Sequence, residues 1–252
     1  LGFNDQADPN TFSLFGDTPG VLGLCDGAET DSGLGAAQPV AATKVIASAD
    51  ERALLKLQED SQFVLLAVVS YGEASAKNVI EEISAIASVI ISQKQARGVS
   101  LSSLLGAKGT FAFASSDGNS RVAAMRKASP EERLKNPGMK LALEAARKVM
   151  DGGEDYSNGA FFWDGADIST NYAKHPKVKA GIKFTQTEHN IYGIKESSVN
   201  VTEYWLDAQK KPTTKVRGSY TYTYESTAAW GGTIFWKYGA DFLKATGNKK
   251  YN

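Results

Sequence analysis

Hydrophobic residues run unbroken from Phe63 to Val69, and a segment apolar on every side predicts a helix buried all round in a globular domain. The run is too short to cross a membrane. Upstream, Ser48-Ala49-Asp50-Glu51 supplies an N-cap with a glutamate three residues later, and Leu54, Leu55 and Leu57 carry the apolar pattern on. One helix is therefore expected from about Asp50 to Tyr71, with Gly72 as its stop. Ser75 or Asn78 then reads as the cap of a second helix, in which Val79, Ile83, Ile86 and Ile90 recur at helical spacing.

Further on, Ser100 to Leu105 predicts a short helical turn, and Ser129-Pro130-Glu131-Glu132 a helix start. Asn136-Pro137 interrupts that segment. An amphipathic helix follows from Met139 to Met150, carried by Leu141, Leu143, Ala145, Ala146 and Val149 and ended by Gly152-Gly153. Beyond Tyr156 the pattern turns to strands. Tyr220 to Tyr224 alternates with period two, and Thr233-Ile234-Phe235-Trp236 follows a Gly231-Gly232 turn, which predicts a hairpin or small sheet. Helices first and strands after give an α+β arrangement, helix-rich over 48–152 and strand-rich over 153–252, with a cleft between the lobes. Residues 1–47, rich in Gly, Asp, Ala and Thr, read as an irregular lead-in or linker.

With 252 residues the chain can bury a sizeable core. Its 28 acidic and 28 basic side chains balance, which argues against nucleic acid or a membrane surface as the main ligand. Lys174, Lys177, Lys179 and Lys183 form one local basic group, and Lys210, Lys211, Lys215 and Arg217 another; both read as solvated surface. Two histidines and one cysteine give no paired spacing for a structural zinc site, and no calcium-loop pattern occurs, so neither metal nor cofactor is expected. The first residues lack the basic and apolar regions of a signal peptide, and the chain reads as a piece of a longer polypeptide.

The candidate chemistry centres on Tyr71-Gly72-Glu73, a carboxylate where a buried helix stops. Partial desolvation there favours the neutral form and fits a general acid; the plainer alternative is a carboxylate that solvates the turn. On a helical wheel Glu81 falls opposite the apolar stripe and Glu82 on its flank, so Glu82 is expected to share a cleft with Glu73. Asp164 and Asp167 are the other candidate second carboxylates. Phe161-Phe162-Trp163-Asp164 combines flat apolar faces with an acid, and Tyr71, Phe113, Tyr172 and Tyr192 could add to a sugar-binding groove. The alternative is that these rings are core, since Phe161 and Trp163 share one strand face and Phe162 takes the other. His189 could orient an acid or serve structurally. Cys25, with His175 or His189 as base, would make a peptidase, but it lies in the irregular lead-in.

The run Val69-Ser70-Tyr71-Gly72-Glu73-Ala74, with Glu81 and Ala85 to Gln93 after it, resembles the core of the spore-cortex-lytic cell-wall hydrolases. Phe113, Asn158-Gly159-Ala160-Phe161-Phe162-Trp163 and Glu188-His189-Asn190-Ile191-Tyr192 follow in the family's order, so the resemblance spans roughly residues 60–193. It departs from the family at Thr110 to Ala114, at Ser92-Gln93, in the insertion Ser115 to Pro137 and after Gly193. The layout is also similar to the lysozyme-like glycosidases of phage and of secreted bacterial effectors.

The resemblance implies a lysozyme-like peptidoglycan glycan-strand hydrolase with Glu73 as catalytic acid, and the place of Glu82 on the flank of the same helical face favours it over Asp164 and Asp167 as the second carboxylate. Substrate contacts would come from Tyr71, Phe113, Phe162, Trp163, Asp164, Asp167, His189 and Tyr192. A lytic transglycosylase or a non-catalytic glycan-binding module are the alternatives. It further implies secretion without a signal peptide, by a type VI-like apparatus or by phage lysis, action in the periplasm or wall of a target bacterium, and a possible immunity protein and secretion-apparatus component as partners.

Overall fold

A computed structural model describes residues 48–105, 118–248 and 251. The lead-in 1–47, with Cys25, and the stretch around Phe113 lie outside the described residues. The fold is α+β.

The first expected helix is two helices. Ser48 closes a capping box with Glu51 and starts α1 (Ala49–Leu57), and Asp60 caps α2 (Ser61–Glu73). A turn at Gln58 to Asp60 divides them, because Asp60 offers its carboxylate to the Gln62 N–H and so opens a new helix. Gly72 does not stop α2. It lies inside the helix, at a point where a Cβ would come 2.1 Å from Val122 Cγ2, so its lack of a side chain permits close packing. The next helix, α3 (Ile80–Arg97), starts at Val79 without a side-chain cap; neither Ser75 nor Asn78 caps it. Every residue of α3 from Glu82 to Ile90 is buried. It ends at Gly98, whose left-handed backbone (φ 64°) is one that glycine adopts without a Cβ penalty.

Among the described residues, four more helices belong to the helical layer: α4 (Leu101–Leu105), α5 (Ser120–Lys127), α6 (Pro130–Lys135) and α7 (Pro137–Met150). Ser129 and Glu132 form the capping box of α6, and Asn136 ends α6 while capping α7. α7 packs on both α2 and α3.

The strand-rich half holds a four-stranded sheet in the order β1 (Phe162–Asp164), β6 (Thr233–Tyr238), β5 (Tyr224–Trp230), β2 (Ile182–Lys183). Its pairs are antiparallel except β2 with β5. Between β1 and β2 lie the short helices α8 (Asp167–Thr170) and α9 (Pro176–Ala180). A separate two-stranded ribbon, β3 (Val201–Leu206) with β4 (Pro212–Tyr220), packs on α10 (Ala240–Thr246). The alternating Tyr220 to Tyr224 is thus not one strand: β4 ends at Tyr220 and β5 begins at Tyr224. In the run Glu188 to Tyr192, which lies in the region where the pattern turns to strands, the chain instead forms the 3-10 turn Thr187–His189 and then a turn.

Strand alternation gives the sheet two buried faces. Trp163 pairs with Phe235, and with Ala228 these side chains join the helical core around Leu66, Val69, Ile83 and Ile86. Phe162 pairs with Trp236, and on the opposite face they pack with Ile168, Ile182, Tyr224 and Tyr238. Gln93, fully buried on α3, fastens helix to sheet by donating to the Phe161 carbonyl at 2.6 Å.

Candidate active site

The hairpin turn Gly231-Gly232 between β5 and β6 is where the candidate residues converge. Glu82, on the first turn of α3, is fully buried. One carboxylate oxygen accepts from the Gly232 N–H at 2.9 Å and the Thr233 hydroxyl at 2.8 Å, and the other from the Ser75 hydroxyl at 2.6 Å. Gly231 must be glycine for this approach: it has φ 61°, and a Cβ would meet Glu82 Oε2 at 2.2 Å. Tyr192 donates its phenol to the Gly232 carbonyl, and Lys77 donates to the Gly231 carbonyl. The turn is thereby gripped from the end of α2, from α3 and from the loop after the 3-10 turn.

Glu73 is the last residue of α2, partly exposed, two residues before the Ser75 that bonds Glu82. The helix end is fixed by a second group of contacts. Arg121 donates to the Tyr71 carbonyl and to Asn78 Oδ1, and its guanidinium covers the Tyr71 ring at 3.9 Å. Asn119 donates to the Gly72 carbonyl. A positive φ of 53° at Asn78 turns the chain back toward α3.

On the far side of the turn, a Cβ placed on Gly165 would lie 3.7 Å from Asp167 Oδ1 and 3.9 Å from the Gly232 carbonyl, which brings Asp167 next to the hub. Asp167 belongs to a charged cluster with Asp164, His175 and Lys177. Lys177 Nζ is 2.8 Å from Asp164 Oδ1, and His175 Nε2 lies 3.4 Å from the same oxygen and 3.2 Å from Asp167 Oδ2. Burial works against the imidazolium, but the hydrogen bonds it donates to Asp164 and Asp167 outweigh that cost and raise the His175 pKa to about 9. Burial likewise opposes the Asp167 charge, and the His175 hydrogen bond and charge overcome it, holding that carboxyl below its ordinary value. Tyr192 is pushed up, first by burial and then by the negative charges of Glu82 and Asp167.

Asp164, Asp167 and His175 can bring ligand atoms within 4.8 Å of one another, a spacing a cation could use. Two positive groups already serve this cluster, the Lys177 ammonium and the His175 imidazolium, and they balance the two carboxylates. A divalent ion would have to displace the His175 proton and sit beside Lys177.

Several expected site residues lie elsewhere. Phe162 and Trp163 are core side chains, 6% and 3% exposed, so no open face is left for a sugar; the alternate strand faces are both buried. Asp164 is completely buried against Lys177 and is not a substrate contact in this conformation. The Tyr71 ring is covered by Arg121. His189, buried under β5, bonds Ser226 at 2.9 Å, and burial depresses its pKa. Glu82 is closed off from solvent rather than open to a cleft. Of the expected set, Asp167 and Tyr192 are partly exposed near the Gly232 turn, and Glu73 is partly exposed at the end of α2.

From the sequence, His175 is expected only as a base for Cys25, and Lys177, Ser75 and Thr233 are not expected at the site. Lys177 is 2% exposed, not solvated surface. The one available signal was Asp164 and Asp167 three residues apart, followed by a His-Pro-Lys that starts a helix with Pro176 at its first position. No protein-family model, curated protein or solved structure matches the chain. No helix of the described residues is long and apolar enough to cross a membrane.

Proposed function

We propose that this chain is a lysozyme-like peptidoglycan glycan-strand hydrolase in which Glu73 is the general acid. The observation that carries this reading is the setting of Glu73: a partly exposed carboxylate closing a buried helix, two residues before the Ser75 that bonds Glu82 at the Gly231-Gly232 turn, with the ionised Asp167 next to the Gly232 carbonyl. Glycosidic cleavage needs a proton donor at the leaving oxygen and negative charge near the oxocarbenium-like centre. Glu73 supplies the proton as the bond to the anomeric carbon breaks. Asp167 faces the developing positive charge, and water then adds to the anomeric carbon while giving its proton to the Glu73 carboxylate, which restores the acid. His175 acts through Asp167, keeping it charged and aimed. Glu82 is a positioning residue, since its three donors leave it inside the protein.

The test is mass spectrometry of fragments released from purified peptidoglycan by the wild-type chain and by Glu73→Gln, which keeps the shape and removes the acid. Reducing ends lost in the variant support the hydrolase. Anhydro ends point to transglycosylation, and trimmed peptides on intact glycan overturn the reading. Delivery to the wall of a target bacterium, with an immunity protein guarding the producer, belongs to the same proposal. It predicts lysis when the chain is directed to the periplasm and tolerance when it stays in the cytoplasm.

A further inference from the structure

The β3–β4 ribbon takes no part in the site above. It connects near the start of β5, where the Val199 N–H bonds the Thr221 carbonyl, whereas the Gly231-Gly232 turn lies past the other end of that strand. β5 is seven residues long, so these ends stand roughly 20 Å apart.

The ribbon packs on α10 through β4, where a Cβ on Gly218 would come 2.8 Å from Ala245 Cα. Arg217 lies over the Trp205 ring at 4.7 Å. Much apolar surface stays open: Tyr204 is 40%, Trp205 47%, Leu206 44% and Val216 54% exposed, and Tyr204 sits directly opposite Val216. By strand alternation Tyr204 and Leu206 share one face with Val216, and Trp205 under Arg217 takes the other, so the ribbon presents large apolar groups on both sides, exposure of the kind that marks a binding surface. Four cations accompany them, Lys210, Lys211, Lys215 and Arg217, against two acids, Glu203 and Asp207; four minus two leaves +2 here on a chain whose net charge is zero.

We infer that this ribbon is a second, non-catalytic binding surface for the anionic wall glycan, an inference that rests on the substrate proposed above. The ribbon's tip, Asp207 to Lys211, is polar and its apolar side chains lie along the shaft; a wedge that enters a bilayer buries an apolar face. A charge of +2 with acids interspersed suits carboxylates spaced along uncharged sugars better than duplex DNA, which carries a charge about every 1.7 Å. Aromatic rings offer flat faces to sugars, and Arg and Lys pair with the carboxylates of the peptide stems. A ribbon rooted roughly 20 Å from the Gly231-Gly232 turn leaves the proposed site free and raises the local concentration of substrate.

The test uses the Glu73→Gln chain, so that the polymer stays intact, with either Tyr204→Ala and Trp205→Ala or Lys211→Glu and Lys215→Glu added. Each is sedimented with purified peptidoglycan sacculi at low and physiological salt, after circular dichroism has shown that its melting is unchanged. Binding roughly tenfold weaker is expected for both pairs, with the charge pair less sensitive to salt than the parent. With Glu73 restored, the same ribbon variants should cleave a short soluble peptidoglycan fragment at the unaltered rate. Unchanged sedimentation overturns the inference, as does binding to anionic phosphatidylglycerol vesicles in place of sacculi. Sedimentation needs no turnover, so a chain that cleaves nothing sinks the catalytic reading while the ribbon still stands or falls by binding.

Discussion

Glu82 and His175 show how burial assigns a residue its work. Three donors fill the Glu82 carboxylate in a site with no solvent access, so losing that carboxylate strands a backbone N–H and two hydroxyls. Glu82→Gln, which turns one acceptor oxygen into a donor, should cost about 1–3 kcal/mol, seen as a lower chemical-denaturation midpoint. If Glu82→Gln keeps full stability, the clamp is not structural. For His175 the sign follows from its raised pKa. The folded state holds the proton up to about pH 9, whereas the unfolded chain releases it near 6.5, so the stabilisation is complete below 6.5 and fades as pH rises through 9. The loss is bounded at about 3 kcal/mol. His175→Asn should flatten the fall in melting temperature between pH 6.5 and 9.5; an equal fall in wild type and variant would refute the assignment. His189 works in the other direction, since its depressed pKa favours the neutral ring and removes stability as pH falls below its ordinary range.

Among the elements, the α2–α5 crossing shows what periodicity conveys and what it omits. The buried helices, the capping boxes at Ser48 and Ser129, the α7 pattern and the Gly231-Gly232 turn were legible because each rests on local chemistry within one turn of chain. Gly72 was read as a stop because glycine commonly ends helices, yet its reason is a neighbour fifty residues on, which no local pattern reveals. Gly72→Ala should therefore destabilise by about 1–3 kcal/mol through the clash with Val122, despite alanine's better helix propensity. Adding Val122→Ala should recover part of that loss, and additive losses in a double-mutant cycle would remove the explanation. The same limit hid the candidate site. The Glu73 position was visible as a helix end, but the Asp164, Asp167, His175 and Lys177 cluster depends on β1 and α9 folding onto each other, and Phe162 and Trp163 needed both sheet faces to be covered before their burial was evident.

At the scale of the molecule, the helix-rich and strand-rich halves share one core. Trp163, Ala228 and Phe235 of the sheet pack in the same cluster as Leu66, Val69 and Ile86 of the helices, and Gln93 and Glu82 tie α3 to the sheet at both ends of that contact. Removing the strands would leave the apolar flank of α3 without cover, so neither half is expected to hold its structure alone. The chain carries its own probes for this. All four tryptophans, Trp163, Trp205, Trp230 and Trp236, lie in the strand-rich half, whereas the long helices α2, α3 and α7 lie in the other. Tryptophan fluorescence therefore follows one half during denaturation, and far-ultraviolet ellipticity is dominated by the other. A shared core predicts coincident transitions with one midpoint. Two separated midpoints would mean that the halves unfold independently. In that case the Glu82 clamp would open at the first midpoint, and the end of α2 and the Gly231-Gly232 turn would part company while the other half stayed folded.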